Sequence, residues 1–496
     1  MTINSGSNKE DSEIRGLAHF CEHLLFLGSK KYPKATHFID FVSKNSGKFN
    51  GFTDFENTAF FFEINDKEFE EGLDIFANNF ISPLLSEQYI EKEVNSINSE
   101  FEKNLQNDKK RKDSILRDIA NEHTLLHRFT TGNLITLIED PTKKKIVIQE
   151  MLRNYFERNY TPENMKLIIY GDRPVQDYIK MTERIFQHLT PKNSLQTKYS
   201  ADMTKLPWEF GQMGKLVLYQ TLNSHQDFEI NIMIDDVFDS FPNNYILYFK
   251  TLFNYRGEGS IFDILRSKGL MKSIKSRGKK VYKGFSFLKI VGYITEEGIK
   301  NLDSVIGYIY SYIHNLKELS RDKKLYDYIK KSMDIAFNFK SGNTSNALSL
   351  IKNLTRSLWK YDKKYIIAQH KLLADYNEEG LAEFYRKISL HNSIIIVGNN
   401  LFDKHMMGKY SSFVENFQDA TGETDIFTKS NEFYNARYCD FNLKRVFIDK
   451  IENPKLNTKS DEISKQIPSF HQMDHLPQSH ISLERTCNNI PKKKVS

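Results

Sequence analysis

The sequence predicts an α+β protein of two domains with a similar plan, and three observations carry that expectation. At 496 residues the chain exceeds what one ordinary hydrophobic core serves, so two domains are expected. Helix-period and strand-type patterns alternate through the first 200 residues. A helix–turn–strand unit also occurs twice: RNYTPENMKLIIYGD begins at Arg158 and RKISLHNSIIIVGNN at Arg386. Each has an asparagine six residues after the arginine, then an apolar strand ending at glycine, Gly171 or Gly398. The expected division is 1–205, 206–450 and a disordered tail at 451–496. The polar, aperiodic stretch PKNSLQTKYSADMTKLP marks the first boundary, and the tail has few apolar residues and no period.

The elements of the first domain follow from local pattern. Leu17 to Leu27 reads as a helix stopped by Gly28. Thr36 is placed to cap a second helix through Phe38, Ile39, Phe41 and Val42. FNGFTDFENTAFFFEIN, aromatic and bounded by polar turns, reads as a strand pair. Phe69, Leu73, Phe76 and Phe80 recur at helical spacing before Pro83. A long helix is expected from Ser86, with Ile90, Val94, Ile97, Phe101 and Leu105 as its buried stripe.

Composition excludes several classes. With 70 basic and 64 acidic residues the net charge is only +6, and the short basic runs stand alone without a nucleic-acid-binding motif. No apolar run approaches the roughly 18 residues of a membrane span. Cys21, Cys439 and Cys487 are too scattered for a disulfide framework and suggest a reducing compartment. The polar start MTINSGSNKEDSE does not read as a signal peptide. A soluble, cytoplasmic chain is the expectation, with no nucleic-acid and no membrane partner.

The chemistry concentrates in HFCEH, within GLAHFCEHLLFLG at 16–28. Residues four apart share a helix face, so His19 and His23 can both aim a ring nitrogen at one ion. Glu22 can then reach a water on that ion. A catalytic zinc takes three protein ligands and keeps one position open. The best source of the third ligand is EKEVNSINSEFEKN, where Glu93 and Glu100 stand seven apart on one face; without HFCEH they would read as exposed glutamates. Cys21 points to another side of the helix and reads as a packed residue. His123 and His127 also have i,i+4 spacing but lack the glutamate, and read as helix-surface histidines. His471, His475 and His480 read as part of a flexible tail.

GLAHFCEHLLFLGSKKYP resembles the zinc-site segment of the insulin-degrading enzyme and pitrilysin family, the inverzincins. The likeness continues through FNGFTDFENTAFFFEI and EVNSINSEFEKNLQND to TTGN at 130–133. It resumes in RGEGSIFDILRSKG and YITEEG. The resemblance implies His19, His23 and Glu100 as ligands of one zinc ion, Glu22 as general base on zinc-bound water, and Glu93 as a supporting acid. It implies that Asn50, Gly51, Phe52 and Thr53 line the cleft as an edge strand to which a peptide adds. Phe26 and Phe52 would be pocket walls, with ordinary core as the alternative.

Family members are built from four α/β roll domains in two halves that close around short or unfolded peptides. This chain resembles the first half: two rolls, each a mostly antiparallel sheet packed with helices. Three departures follow. Strands that precede the matching segment in the family are absent, which is expected to leave the first sheet short. An arginine and a tyrosine that relatives draw from their second half are also absent. KSIKSRGKK from Lys272 stands where relatives carry a glycine-rich strand that grips the substrate's N-terminus, and this basic edge would favour acidic peptide termini. The implied function is a zinc metalloendopeptidase that needs a second chain or homodimer to close its chamber. The alternative is a non-catalytic zinc- or peptide-binding subunit of a two-chain peptidase.

Overall fold

The computed structural model describes residues 1–190, 205–209, 213–236, 243–339, 347–368, 371–402, 407–417, 426–453 and 455. Most of the expected tail lies outside these residues, as do His471, His475, His480 and Cys487. The fold is mixed helix and sheet, with two separate sheets. β1 (Thr2–Ile3), β2 (Lys48–Thr53), β3 (Thr58–Glu63) and β4 (Met165–Lys166) form an antiparallel sheet in the order β2-β3-β1-β4.

The second sheet draws on β5 (Lys215–Gln220), β6 (Asp227–Ile234), β7 (Met271–Tyr282), β8 (Phe285–Ile294), β9 (Ser393–Asn399), β10 (Lys429–Ser430) and β11 (Arg437–Asn442). Its order is β10-β11-β5-β9-β6-β8-β7, antiparallel except for the parallel β5–β9 pair. SIIIVGN in β9 is buried throughout because helices cover one face and the first half covers the other.

The aromatic strand pair forms as expected, in the register Asn50↔Phe61 and Phe52↔Ala59. Period 2 sends Phe60 and Phe62 into the core with Phe38 and Phe76, while Phe52 and Phe61 meet on the opposite face. Helix α1 (Leu17–Leu25) is followed by Gly28 in the left-handed region. Helices α2 (His37–Lys44), α3 (Phe69–Ile81) and α4 (Ile90–Leu105) follow, and Ile90, Val94, Ile97 and Phe101 of α4 are buried. Thr36 precedes α2, yet its hydroxyl donates to Asp40 rather than capping the helix.

Two expected elements differ. MKLIIYG pairs only at Met165 and Lys166, because β1 offers partners to those two residues alone. Its counterpart at Ser393–Asn399 lies between β5 and β6 and pairs along its length. His123 and His127 lie in a turn and a 3₁₀ helix (Leu125–His127), both exposed, so they are not on one helix face.

The two halves meet through helix α5 (Asp108–Asp118), which lies against the second sheet. Ile115 and Leu116 pack there with Val217, Phe287 and Ile396. Beside them Lys112 pairs with Asp227 and, at 3.0 Å, with Glu229; Lys289 pairs with Glu229 at 2.6 Å. No described helix is long and apolar enough to cross a membrane.

Candidate metal centre and peptide cleft

Helix α1 begins at Gly16, whose φ of +93° favours glycine and whose added Cβ would lie 2.3 Å from Gly132 Cα. The first amides of the helix are held from outside: the buried Glu10 carboxylate accepts Gly16 N–H at 3.2 Å and Ala18 N–H at 2.9 Å. Burial pushes Glu10 up to about 7 despite Arg128 and those amides. The helix is therefore fixed at its start, one residue before His19. Cys21 is buried with a free thiol on the core side, as its spacing suggests.

His19, His23 and Glu100 converge, and their ligand-capable atoms all lie within 4.8 Å of one another. His19 Nε2 is 3.7 Å and His23 Nε2 4.0 Å from the same oxygen of Glu100. Ligands on a tetrahedral zinc are separated by about 3.3 Å, so chelation asks for a closure of under about 1 Å at these two distances. Each imidazole is oriented through its other nitrogen. His19 Nδ1 lies 2.7 Å from the Thr131 carbonyl, and His23 Nδ1 lies 3.4 Å from Glu93. This is the arrangement in which metal-binding histidines are held, with Nε2 turned to the ion. Burial and the neighbouring His23 hold His19 below its usual value. For His23, burial is outweighed by the carboxylates of Glu93, Glu22 and Glu100, and its value rises. The donor set, two imidazoles and one carboxylate with ordered outer partners, fits zinc.

Glu22 projects from the same helix into a tight cradle on β2. It is buried, accepts the Thr53 hydroxyl at 2.6 Å, and occupies the space a side chain at Gly51 would fill. Burial pushes it up to about 7, and a cation at the triad would draw it down again.

β2 is the end strand of its sheet. Phe60 exchanges both backbone hydrogen bonds with Met1, so its neighbours Ala59 and Phe61 pair with Phe52 and Asn50. Gly51 is left with its N–H and C=O facing outward, the N–H resting on its own neighbour's Asn50 Oδ1 at 2.8 Å. A cleft of about 940 Å³ opens there; the triad, Glu22, Asn50, Gly51, Phe52 and Thr53 line it on one side and Lys279 and Lys280 of β7 on the other. Glu93 supports the triad from behind His23.

Phe26 is placed elsewhere. It is 9% exposed and packs on Phe38, Phe49 and Phe60, so its role is core rather than pocket wall. Its position on α1 one turn beyond Glu22 turns it under the sheet. Phe52 is half-buried and lines the cleft.

Sequence reasoning missed three contributors. Thr131 acts through its carbonyl, which no side-chain pattern reports. Tyr434, from the second half, packs on Phe101, the residue after Glu100. The helix Ala347–Ser357 brings Arg356 over the Phe52 ring.

Against known proteins, the family described as Insulinase (Peptidase family M16) matches residues 1–131, and Peptidase M16 inactive domain matches 147–333. The chain is 25% identical over 462 residues to insulin-degrading enzyme of Homo sapiens, covering 92% of this chain and 42% of that protein. It is 28% identical over 397 residues to A-factor-processing enzyme of Saccharomyces cerevisiae, covering 79% of this chain and 38% of that protein. The crystal structure of pitrilysin superposes with a TM-score of 0.79 at 22% identity, over 93% of this chain and 46% of that one. The first half of the periplasmic protease PqqL from Escherichia coli superposes with a TM-score of 0.61 at 16% identity, over 82% and 87%. These structural likenesses concern the fold. The chain spans less than half the length of these two curated relatives.

Proposed function

Because the chain belongs to the insulinase family of peptidases, we propose that it is the metal-bearing half of a zinc metalloendopeptidase that hydrolyses short or unfolded peptides. The observation that carries the proposal is the convergence of His19, His23 and Glu100, with both Nδ1 atoms held so that both Nε2 atoms approach one carboxylate oxygen. These three residues would hold one zinc ion. When bound, zinc supplies polarisation of the scissile carbonyl and acidification of a water.

Glu22 takes the proton from the attacking water and returns it to the leaving amine, and the Thr53 hydroxyl fixes the carboxylate in the required orientation. Gly51 N–H and C=O pair with the backbone of an extended peptide, laying the peptide bond beside Glu22. Donors that would stabilise the developing oxyanion belong to the opposite wall of the chamber, which a second chain or second half would supply. A purely metal-binding or peptide-binding subunit would have no use for a buried carboxylate that ligates nothing, so the cradle around Glu22 favours the enzyme.

The test is zinc content together with cleavage of a quenched fluorescent peptide by the purified chain, Glu22→Gln and Glu100→Gln. Glu100→Gln should lose most of its zinc. Glu22→Gln should keep it and lose cleavage by about 10² to 10⁴. Unchanged zinc in Glu100→Gln, or equal cleavage in Glu22→Gln, would overturn the assignment.

A further inference from the structure

Resting on the peptidase reading above, we propose that this chain selects acidic peptides, with Lys352 and Arg356 reading carboxylate side chains on alternate residues of the strand that adds to β2.

Side chains of an added strand alternate between the two faces of the sheet. A substrate residue opposite Gly51 turns toward Glu22 and the triad, since cross-strand neighbours share a face. Residues opposite Asn50 and Phe52 turn to the other face, where Phe52 and Phe61 meet. That face is not a plain apolar wall. The helix Ala347–Ser357 lies over it, with the Arg356 guanidinium 4.4 Å and the Lys352 ammonium 5.9 Å from the Phe52 ring centre. Being four apart, the two cations share one helix face.

Neither cation forms an ion pair with a described residue. The acidic groups of the cleft are engaged elsewhere. Glu56 pairs with Lys280 at 3.2 Å, Asp113 with Lys279 at 3.4 Å, and Asp54 accepts the Glu56 and Asn57 amides. Glu100 belongs to the triad. The unspent charge facing this side of the added strand is therefore positive. Stacking on Phe52 fixes the guanidinium plane and leaves its N–H edge for a carboxylate.

The experiment measures binding of fluorescein-labelled peptides of about eight residues, one strand's length, to the zinc-loaded Glu22→Gln chain. Three peptides share alternating alanine and carry glutamate, lysine or serine at the remaining positions. The glutamate peptide should bind about 3- to 10-fold tighter than the serine peptide and the lysine peptide weaker, the range two exposed ion pairs give. The difference should collapse at about 1 M salt. Lys352→Met/Arg356→Met should erase the ranking, and Arg356→Glu should invert it.

Equal binding of the three peptides, or a ranking that survives in Lys352→Met/Arg356→Met, overturns the proposal, as does failure of all three to bind. Cleavage of the same peptides by the unsubstituted chain separates the two claims. Cleavage without charge preference leaves the peptidase standing and removes the acid selection. Charge-ranked binding without any cleavage does the reverse.

Discussion

Gly51→Ala isolates the contribution of the Glu22 cradle. Gly51 does not adopt a left-handed φ, so alanine meets no backbone penalty and even gains the usual advantage over glycine in a strand. What it meets is Glu22: an added Cβ would lie 2.4 Å from Oε1, 3.0 Å from Cδ and 3.1 Å from Cγ. Ordinary contact needs about 1 Å more. Either the carboxylate swings away, losing the 2.6 Å bond from Thr53, or the edge of β2 shifts out. The bond to a charged group is worth about 1.5–3 kcal/mol and mild overpacking costs about 1–3 kcal/mol. A net destabilisation of about 1–3 kcal/mol is therefore expected. A misplacement of about 1 Å in a catalytic group costs about 10² in rate, so kcat for a fluorogenic peptide should fall by that factor. Zinc affinity should stay within about 3-fold, since none of the three proposed ligands is touched. The assay is steady-state cleavage beside a zinc titration against a competing chelator. Full kcat in Gly51→Ala would refute the claim that this carboxylate must sit where the missing Cβ allows it.

Glu93→Gln should weaken zinc binding by about 10- to 100-fold through loss of the His23 Nδ1 contact, read by the same chelator competition; an unchanged affinity would remove Glu93 from the site. Glu10 has a folded value of about 7 against an unfolded 4.5, so the stability it contributes is complete below about pH 4.5 and lost as pH rises through 7. Over that window the wild type should lose up to about 3 kcal/mol relative to Glu10→Gln in urea denaturation, and a pH-independent difference would contradict the assignment. Glu229, held down to about 2 against burial by Lys289 and Lys112, behaves oppositely: its contribution is present above about pH 4.5 and lost as pH falls toward 2. Glu229→Gln should cost about 3–5 kcal/mol at pH 7 by leaving two buried ammonium groups short of a partner, and a thermal midpoint within 1 °C of wild type (a shift far below that cost) would show the network to be dispensable.

How much of this was legible in the sequence depended on whether a signal was local. The i,i+4 spacing of His19 and His23 is a property of one helix, as is the apolar stripe that buries α4 and so turns Glu100 toward them. The strand pair was visible because alternation and aromatic content agree. MKLIIYG looked as much like a strand as SIIIVGN did, but pairing is a property of neighbours, and only the second has two full ones. Thr36 has the right type for a cap and gives its hydroxyl to Asp40 instead. Phe26 and Phe52 were indistinguishable as aromatic residues near the motif, and the parity of β2 together with the turn of α1 sends one into the core and the other to the cleft.

The least legible part is that the second half helps to build the candidate metal centre. Phe433 stacks on Phe129 at 3.9 Å, Arg15 lies over the same Phe433 ring, and Tyr434 packs on Phe101, the residue after Glu100. Phe129, on which Phe433 stacks, lies two residues before Thr131, whose carbonyl orients His19. The Tyr434 carbonyl is tied to Arg111 on α5 at 3.0 Å. One short segment, Asn431 to Arg437, thus packs next to Glu100 and close to Thr131 from more than 300 residues away in sequence. Nothing in NEFYNAR announces a metal site, because its residues act on the first half through packing, the Tyr434 carbonyl and an ion pair of Glu432 with Arg15. The half that carries HFCEH gains its precision from the half that does not. A domain without candidate ligands is therefore part of the proposed catalytic apparatus in the physical sense that it restricts where His19 and Glu100 can be.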